Sequence, residues 1–170
     1  GVQTCALPIS NLLASAMDKQ TAKTAHPGFV EIIRNMSADE ARVLEYIYKN
    51  DVAPIVDIKR VLLKQNGEVK THELISTIGG DARCEHPDLS GSYLINLERL
   101  GLVEIPRESF LTKPNVYDRL VNDVLVQSIV ENMNKFGGEE YKADFDKYYV
   151  RCTVFGKQFH QACVFNRDKT

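Results

Sequence analysis

Six side chains in the middle of the chain have types that do chemistry. Asp57, His72, Asp81, Cys84, Glu85 and His86 offer a nucleophile, bases and metal ligands around one stretch, and Cys84-Glu85-His86 can place two ligands near each other. On that set a metal-dependent hydrolase would centre on Asp57, His72 and His86. Structural zinc needs four protein ligands and catalytic zinc three, and no second pair stands at a characteristic spacing. His86 also precedes Pro87, as a loop residue does. No residue is therefore assigned a catalytic, cofactor-binding or metal-ligating role, and no cofactor is expected.

A second chemistry is contact with nucleic acid, through a DNA-binding regulator relying on Arg99, Arg151 and Lys157. The helix that would enter a groove, Leu89 to Leu100, carries only Glu98 and Arg99 as charges, whereas phosphate contacts need clustered Arg or Lys. Lys142, Lys147, Arg151 and Lys157 line a basic edge, but Asp144 and Asp146 interrupt it. Nucleic acid is not expected as a partner. Cys152 and Cys163 fall where a buried thiol acts as a small hydrophobe. For His26 and His160 a surface or capping role is expected.

Composition bounds what these residues can belong to. The chain has 170 residues, 21 basic and 23 acidic side chains and 44% hydrophobic content, which suits an ordered globular domain. A net charge of −2 creates no global field for nucleic acid or anionic lipid. No apolar run approaches the ~20 residues of a membrane span. The four cysteines form no CxxC pair, which fits a reducing, cytoplasmic setting.

Residues 1–10 read as an artefact. Gly1-Val2-Gln3-Thr4-Cys5-Ala6-Leu7-Pro8-Ile9 lacks the basic start and apolar stretch of a signal peptide. Back-translated, it matches a common short-read sequencing adapter, so the protein itself is expected to begin upstream of Asn11. Residues 11–25 then hold the end of a truncated helix, with Leu12, Leu13, Ala14, Ala16 and Met17, and a polar link. A single domain is expected over 26–165, with a tail at 166–170.

Within that domain Pro27 suits a first helical turn, and Phe29, Ile32, Ile33 and Met36 follow an amphipathic stripe. Ser37 and Glu40 have the spacing of a capping box, opening a helix that runs to about Asn50. Ile55, Val56, Ile58 and Val61 predict a strand within Val52 to Leu63, and Asn66-Gly67 a hairpin-type turn. His72 to Asp88 reads as a loop. Asp88 or Ser90 is expected to cap a third helix bearing Tyr93, Leu94, Leu97 and Leu100, with Gly101 ending it in the left-handed conformation. Leu102 to Ile105 reads as a short strand. Pro114 to Asn134 reads as one long helix, apolar around more than one face. Glu139 to Asp146 reads as a charged linker and Tyr148 to Cys152 as a strand. Thr153 is placed to cap a last helix with Phe155, Phe159, Ala162 and Cys163 on one face.

This order predicts a mostly helical α+β fold: a winged-helix-like core with a small antiparallel sheet and an inserted long helix. The segments Asn11-Leu12-Leu13-Ala14-Ser15-Ala16-Met17, His26-Pro27-Gly28-Phe29-Val30-Glu31-Ile32-Ile33, Ser37-Ala38-Asp39-Glu40-Ala41, Pro54-Ile55-Val56-Asp57, Asn96-Leu97-Glu98-Arg99-Leu100-Gly101-Leu102 and Phe155-Gly156-Lys157-Gln158-Phe159 stand in one order along the chain. In that order they resemble the bacterial abortive-infection alpha family, a domain of unknown function from phage-resistance contexts. The resemblance implies a role in phage defence, an upstream helical region missing here, and no catalytic residues to carry over. The expectation is a non-enzymatic interaction or regulatory module. It would contact a protein partner or itself through helix 114–134 and residues 12–17, and a membrane only through the missing N-terminal region.

Overall fold

The computed structural model describes residues 26–138 and 140–164, so the expectations for residues 1–25, including the apolar stretch 12–17, and for the tail lie outside the described residues. The elements run α1 (Gly28–Arg34), α2 (Ala38–Asn50), β1 (Val52–Leu62), β2 (Glu68–Ile75), α3 (Ile78–Asp81), a 3-10 turn (Pro87–Leu89), α4 (Ser90–Arg99), β3 (Val103–Glu104), α5 (Asp118–Val121), α6 (Val124–Gly137), β4 (Tyr141–Cys152) and α7 (Val154–Val164). The fold is α+β. Its strands are hydrogen-bonded in the order β2-β1-β4-β3, with β1/β2 and β3/β4 antiparallel. The chain divides into two compact units. Among the described residues, one is built from 26–52, 78–104 and 151–164, the other from 53–77, 105–138 and 140–150.

The first unit is helical. The capping box forms as its spacing predicts: Glu40 N–H donates to Ser37 Oγ at 3.2 Å, and Ser37 N–H donates to the Glu40 carboxylate at 2.6 Å. Capping satisfies amides that the first turn of α2 leaves without partners. Val43, Leu44 and Ile47 fall on one buried face of α2, which packs against α3, α4 and α7. Tyr93, Leu94 and Leu97 of α4 and Phe159 and Cys163 of α7 complete the core. Fully burying one such aliphatic side chain contributes about 1.5–3 kcal/mol. Phe29 meets Phe155 and Phe159 at ring-centroid distances of 5.5 and 5.2 Å. Gly101 ends α4 at φ 74°, and Thr153 caps α7 by accepting from Gly156 N–H at 2.8 Å. Gly156 cannot be another residue, because a Cβ there would fall on the Leu102 carbonyl oxygen.

The second unit packs helices on strands. Val56, Ile58, Tyr117, Leu120 and Val126 form its buried cluster, with Ile129, Met133 and Phe145 against it. Tyr117 pins the loop before α5: its hydroxyl donates to Tyr148 O at 2.8 Å and accepts from Leu111 N–H at 3.0 Å.

Four expected elements take different forms. The single helix 114–134 is broken into α5 and α6, because Asp123 accepts from Leu125 N–H at 2.9 Å and so caps a new helix. Only Val126 and Gly137 of α6 are fully buried, so the double apolar face is not covered on both sides. The stretch 72–88 is not all loop: β2 occupies it as far as Ile75, and α3 and the 3-10 turn follow. Residues 141–146 are strand rather than linker. α4 has no side-chain cap, since the 3-10 turn runs straight into it and Leu89 stands at its cap position.

Candidate functional site

The residue types expected to do chemistry are distributed over both units, and the structure shows what holds each of them. Asp57, on β1, is buried. One oxygen accepts from Leu74 N–H at 2.9 Å and from the Tyr148 hydroxyl, and the other from Lys70 Nζ at 2.8 Å. Burial first, and then the bond to Asp57, push the Tyr148 hydroxyl well above the ordinary phenol range. The bond to Asp57 is also the main cause that raises the Lys70 ammonium. Lys70 lies 3.9 Å from Asp146, which sits 2.6 Å from Lys59, and Lys59 in turn reaches Glu68 at 2.9 Å. The chain of alternating charge crosses the sheet surface.

The backbone around Asp57 is irregular in a way the carboxylate explains. Val56 is paired with Ile75 but Ile58 with His72, so β2 carries an extra residue there, and a second shift follows between Ile58 and Lys59. Leu74, inside the first irregularity, has φ 57°. A left-handed leucine is unusual and costs about 1–2 kcal/mol. Its side chain is buried and its amide is held by Asp57, so packing and a charged acceptor together impose the conformation. His72 is on the exposed part of β2, with Nδ1 3.1 Å from Thr71 Oγ1.

The other named residues lie in the first unit, where Cys84, Glu85 and His86 gather around Asp39. Asp39 opens α2, is buried, and accepts from Glu85 N–H and His86 N–H, each at 3.0 Å, from the Tyr93 hydroxyl at 3.0 Å, and from Arg42. Burial alone would raise its pKa. The Glu85 and His86 amides, Tyr93 and Arg42 more than reverse this and hold the carboxyl at about 2. Tyr93 is correspondingly pushed up to about 12, by burial and by its bond to Asp39. Cys84 Sγ lies 3.7 Å from the Asp39 carbonyl, and burial, with Asp39 beside it, raises the thiol to about 11. A thiol at that value is not a thiolate nucleophile near neutral pH. Glu85 and His86 thus present backbone amides to the Asp39 carboxylate, while Cys84 turns its thiol toward the Asp39 carbonyl. Asp81 accepts from the Tyr46 hydroxyl at 3.3 Å.

Cys152 and Cys163 are buried, free thiols, each raised to about 11 by burial. His26 is exposed, and its Nδ1 accepts from Gly28 N–H at 3.1 Å, while Pro27 holds the cap position of α1. His160 is not a surface residue. It is 2% exposed, stacks on Tyr48 with ring centroids 3.8 Å apart, and burial pushes its imidazole pKa down. The stack joins α7 to α2, which carries Tyr48.

No group of three His, Cys, Asp or Glu among the described residues is placed to hold a metal ion. No helix among the described residues is long and apolar enough to cross a membrane. On α4, Arg99 is spent on Asn96, donating from two of its nitrogens at 2.9 and 2.7 Å. Arg151 pairs with Glu104, and Lys147 lies 5.6 Å from the centroid of the Tyr117 ring. Two members of the basic edge, Lys147 and Arg151, are thus engaged within their own units.

One surface departs from this pattern. On α6, Val126, Ile129 and Met133 face the second unit's core, while Val124 and Leu125 at the helix start are 81% and 74% exposed. The sequence pointed to this segment by its excess of apolar residues, although it did not show the break that sets Val124 and Leu125 outward.

No curated protein matches the chain. A solved structure from the hydrocarbon-degrading marine bacterium Alcanivorax borkumensis SK2, of an uncharacterized protein, is similar over 85% of this chain and 94% of that one, with 16% identity and a TM-score of 0.50. That likeness concerns the fold alone. The family model described as abortive infection alpha matches residues 9–163.

Proposed function

Because the chain belongs to the abortive infection alpha family, we propose that it is a cytoplasmic, non-enzymatic regulatory module of a bacterial phage-defence protein, working through protein contacts at the start of α6. The observation that carries the reading is the exposure of Val124 and Leu125, adjacent β-branched and branched aliphatic side chains in solvent on a helix whose other face is committed to the core. Apolar side chains displayed together in this way suit a partner site. The buried carboxylates support the same reading, since Asp39 and Asp57 are each filled by donors that brace the fold. The helices α2 and α4 and the β3/β4 pair form the winged-helix-like core in this reading, used for protein contact.

The test is a phage challenge of bacteria carrying the complete gene. Val124→Ser with Leu125→Ser is expected to abolish protection while the purified protein keeps its Tm within about 3 °C, as exposed substitutions do. Unchanged protection by that double variant would sink the reading.

A further inference from the structure

At one end of the second unit, away from the start of α6 along that helix, two turns come together. Leu62 N–H donates to Gly67 O at 2.9 Å and closes the β1–β2 hairpin. The next amide, Leu63 N–H, donates to Glu140 O at 2.8 Å, and Glu140 N–H donates to Gly137 O at 3.0 Å. The hairpin tip is thereby tied to the turn that leads from α6 into β4. Large apolar side chains stand in solvent on both turns: Leu63 at 52%, Val69 at 51% and Phe136 at 78%, with Leu62 at 37%. None of them belongs to the buried cluster of this unit.

The charges on these turns differ from the chain as a whole. Arg60, Lys64, Lys135 and Lys142 lie on or beside them, and the Arg60 guanidinium sits 4.8 Å from the centroid of the Tyr141 ring. Against them the sequence has Glu68, Glu139 and Glu140, and Glu68 is already paired with Lys59 at 2.9 Å. Cations therefore prevail locally in a chain of net charge −2. Lysines are depleted at the centres of protein interfaces, and contacts to phosphate alone give exposed leucine and valine no role. The combination suits the boundary of an anionic bilayer, where apolar side chains enter the acyl region and lysine stems lie along it with their ammonium groups at the headgroups.

We propose that this end of the molecule, Leu62, Leu63, Val69 and Phe136 with Lys64, Lys135 and Lys142, docks on the surface of an anionic lipid bilayer. The contact is peripheral and needs no spanning segment. It is separate from the protein contact at Val124 and Leu125.

The experiment is flotation of the full chain with vesicles of phosphatidylcholine alone and of phosphatidylcholine with about a third phosphatidylglycerol, at low salt and at 0.5 M salt, roughly the range over which surface electrostatics are screened. Binding is expected only with phosphatidylglycerol, weakened by salt. Lys64→Glu with Lys135→Glu is expected to reduce it at least about tenfold, and Leu63→Ser with Phe136→Ser to abolish it, while Val124→Ser with Leu125→Ser leaves it unchanged. The chain contains no tryptophan, so Phe136→Trp gives a single reporter. Its emission is expected to shift to the blue on vesicles and to be quenched by brominated lipid, which keeps the test informative if the serine variant does not fold. Absence of flotation with anionic vesicles, flotation indifferent to both tip variants, or a tryptophan that stays in water would overturn the proposal. So would a dimer in sedimentation velocity that Phe136→Ser dissociates without any lipid dependence, which would give this end to a second copy of the chain.

Discussion

Each unit is organised around a buried aspartate, and the two are held by the same three kinds of donor: backbone amide, tyrosine hydroxyl and cation. Asp39 takes two loop amides, Tyr93 and Arg42, and Asp57 takes one strand amide, Tyr148 and Lys70. The difference lies in what the charge holds. Asp39 fastens an irregular loop to the first turn of a helix, where the helix dipole also favours a carboxylate. Asp57 fastens an irregularity inside a sheet and keeps a leucine in a left-handed conformation. The first joins elements that are each regular; the second makes a distorted strand possible. A buried charge is costly unless every donor around it is matched, so both sites are constraints on structure before they are reactive groups.

The comparison can be broken first at Asp57. Asp57→Ala is expected to cost about 4 kcal/mol, because it strands a buried hydroxyl, a buried amide and an ammonium and removes the restraint on Leu74. Urea unfolding reads this directly, and hydrogen exchange should show the Leu74 amide losing protection. A loss under about 1 kcal/mol would mean that packing alone sets the β2 irregularity. At Asp39 the expected effect is smaller and depends on pH. Its folded pKa of about 2 lies below the ordinary aspartate value of 3.8. The stability it contributes, about 2 kcal/mol, is therefore present above pH ~4 and lost as pH falls toward 2. Asp39→Asn should flatten that part of the stability profile, and equal acid sensitivity in both proteins would contradict the assignment. The smallest effect sharpens the contrast in backbone strain. Gly101 holds φ 74° with open space where a Cβ would go, so Gly101→Ala should cost only about 1 kcal/mol, the conformational penalty alone. A much larger drop in Tm would show that the first unit also stores strain at this turn.

What was legible in the sequence was local. Ser37 and Glu40, Gly101 and Thr153 act on amides or carbonyls within a few positions of themselves, and each performs the expected part. β2 was not legible because it is an edge strand with nearly every residue exposed, so no alternation marks it. The charged start of β4 was hidden for a similar reason: its residues alternate between exposed and half-buried without a buried apolar member before Tyr148. The break between α5 and α6 had a signal in Asp123, but the apolar residues on either side read as continuous. Asp39 was invisible because its partners Glu85, His86 and Tyr93 lie far along the chain. Asp57 was noticed for its chemistry, yet the residues that occupy it, Lys70, Leu74 and Tyr148, carry no motif. The family was legible through the order of its segments, none of which is specific by itself.

The division of the chain has a consequence for the time at which the protein becomes itself. The second unit needs β4 up to residue 150 to close on β1, and the first needs α7, which supplies Phe159 and Cys163 to its core. Both are therefore completed late in synthesis, after residues made much earlier have waited without their neighbours. At ~5–20 residues per second the interval between translating α2 and α7 is several seconds or more. Through it Val43, Leu44 and Ile47 await a covering that the ribosome has not yet delivered, and slower codons downstream of α2 would lengthen their exposure to chaperones and proteases.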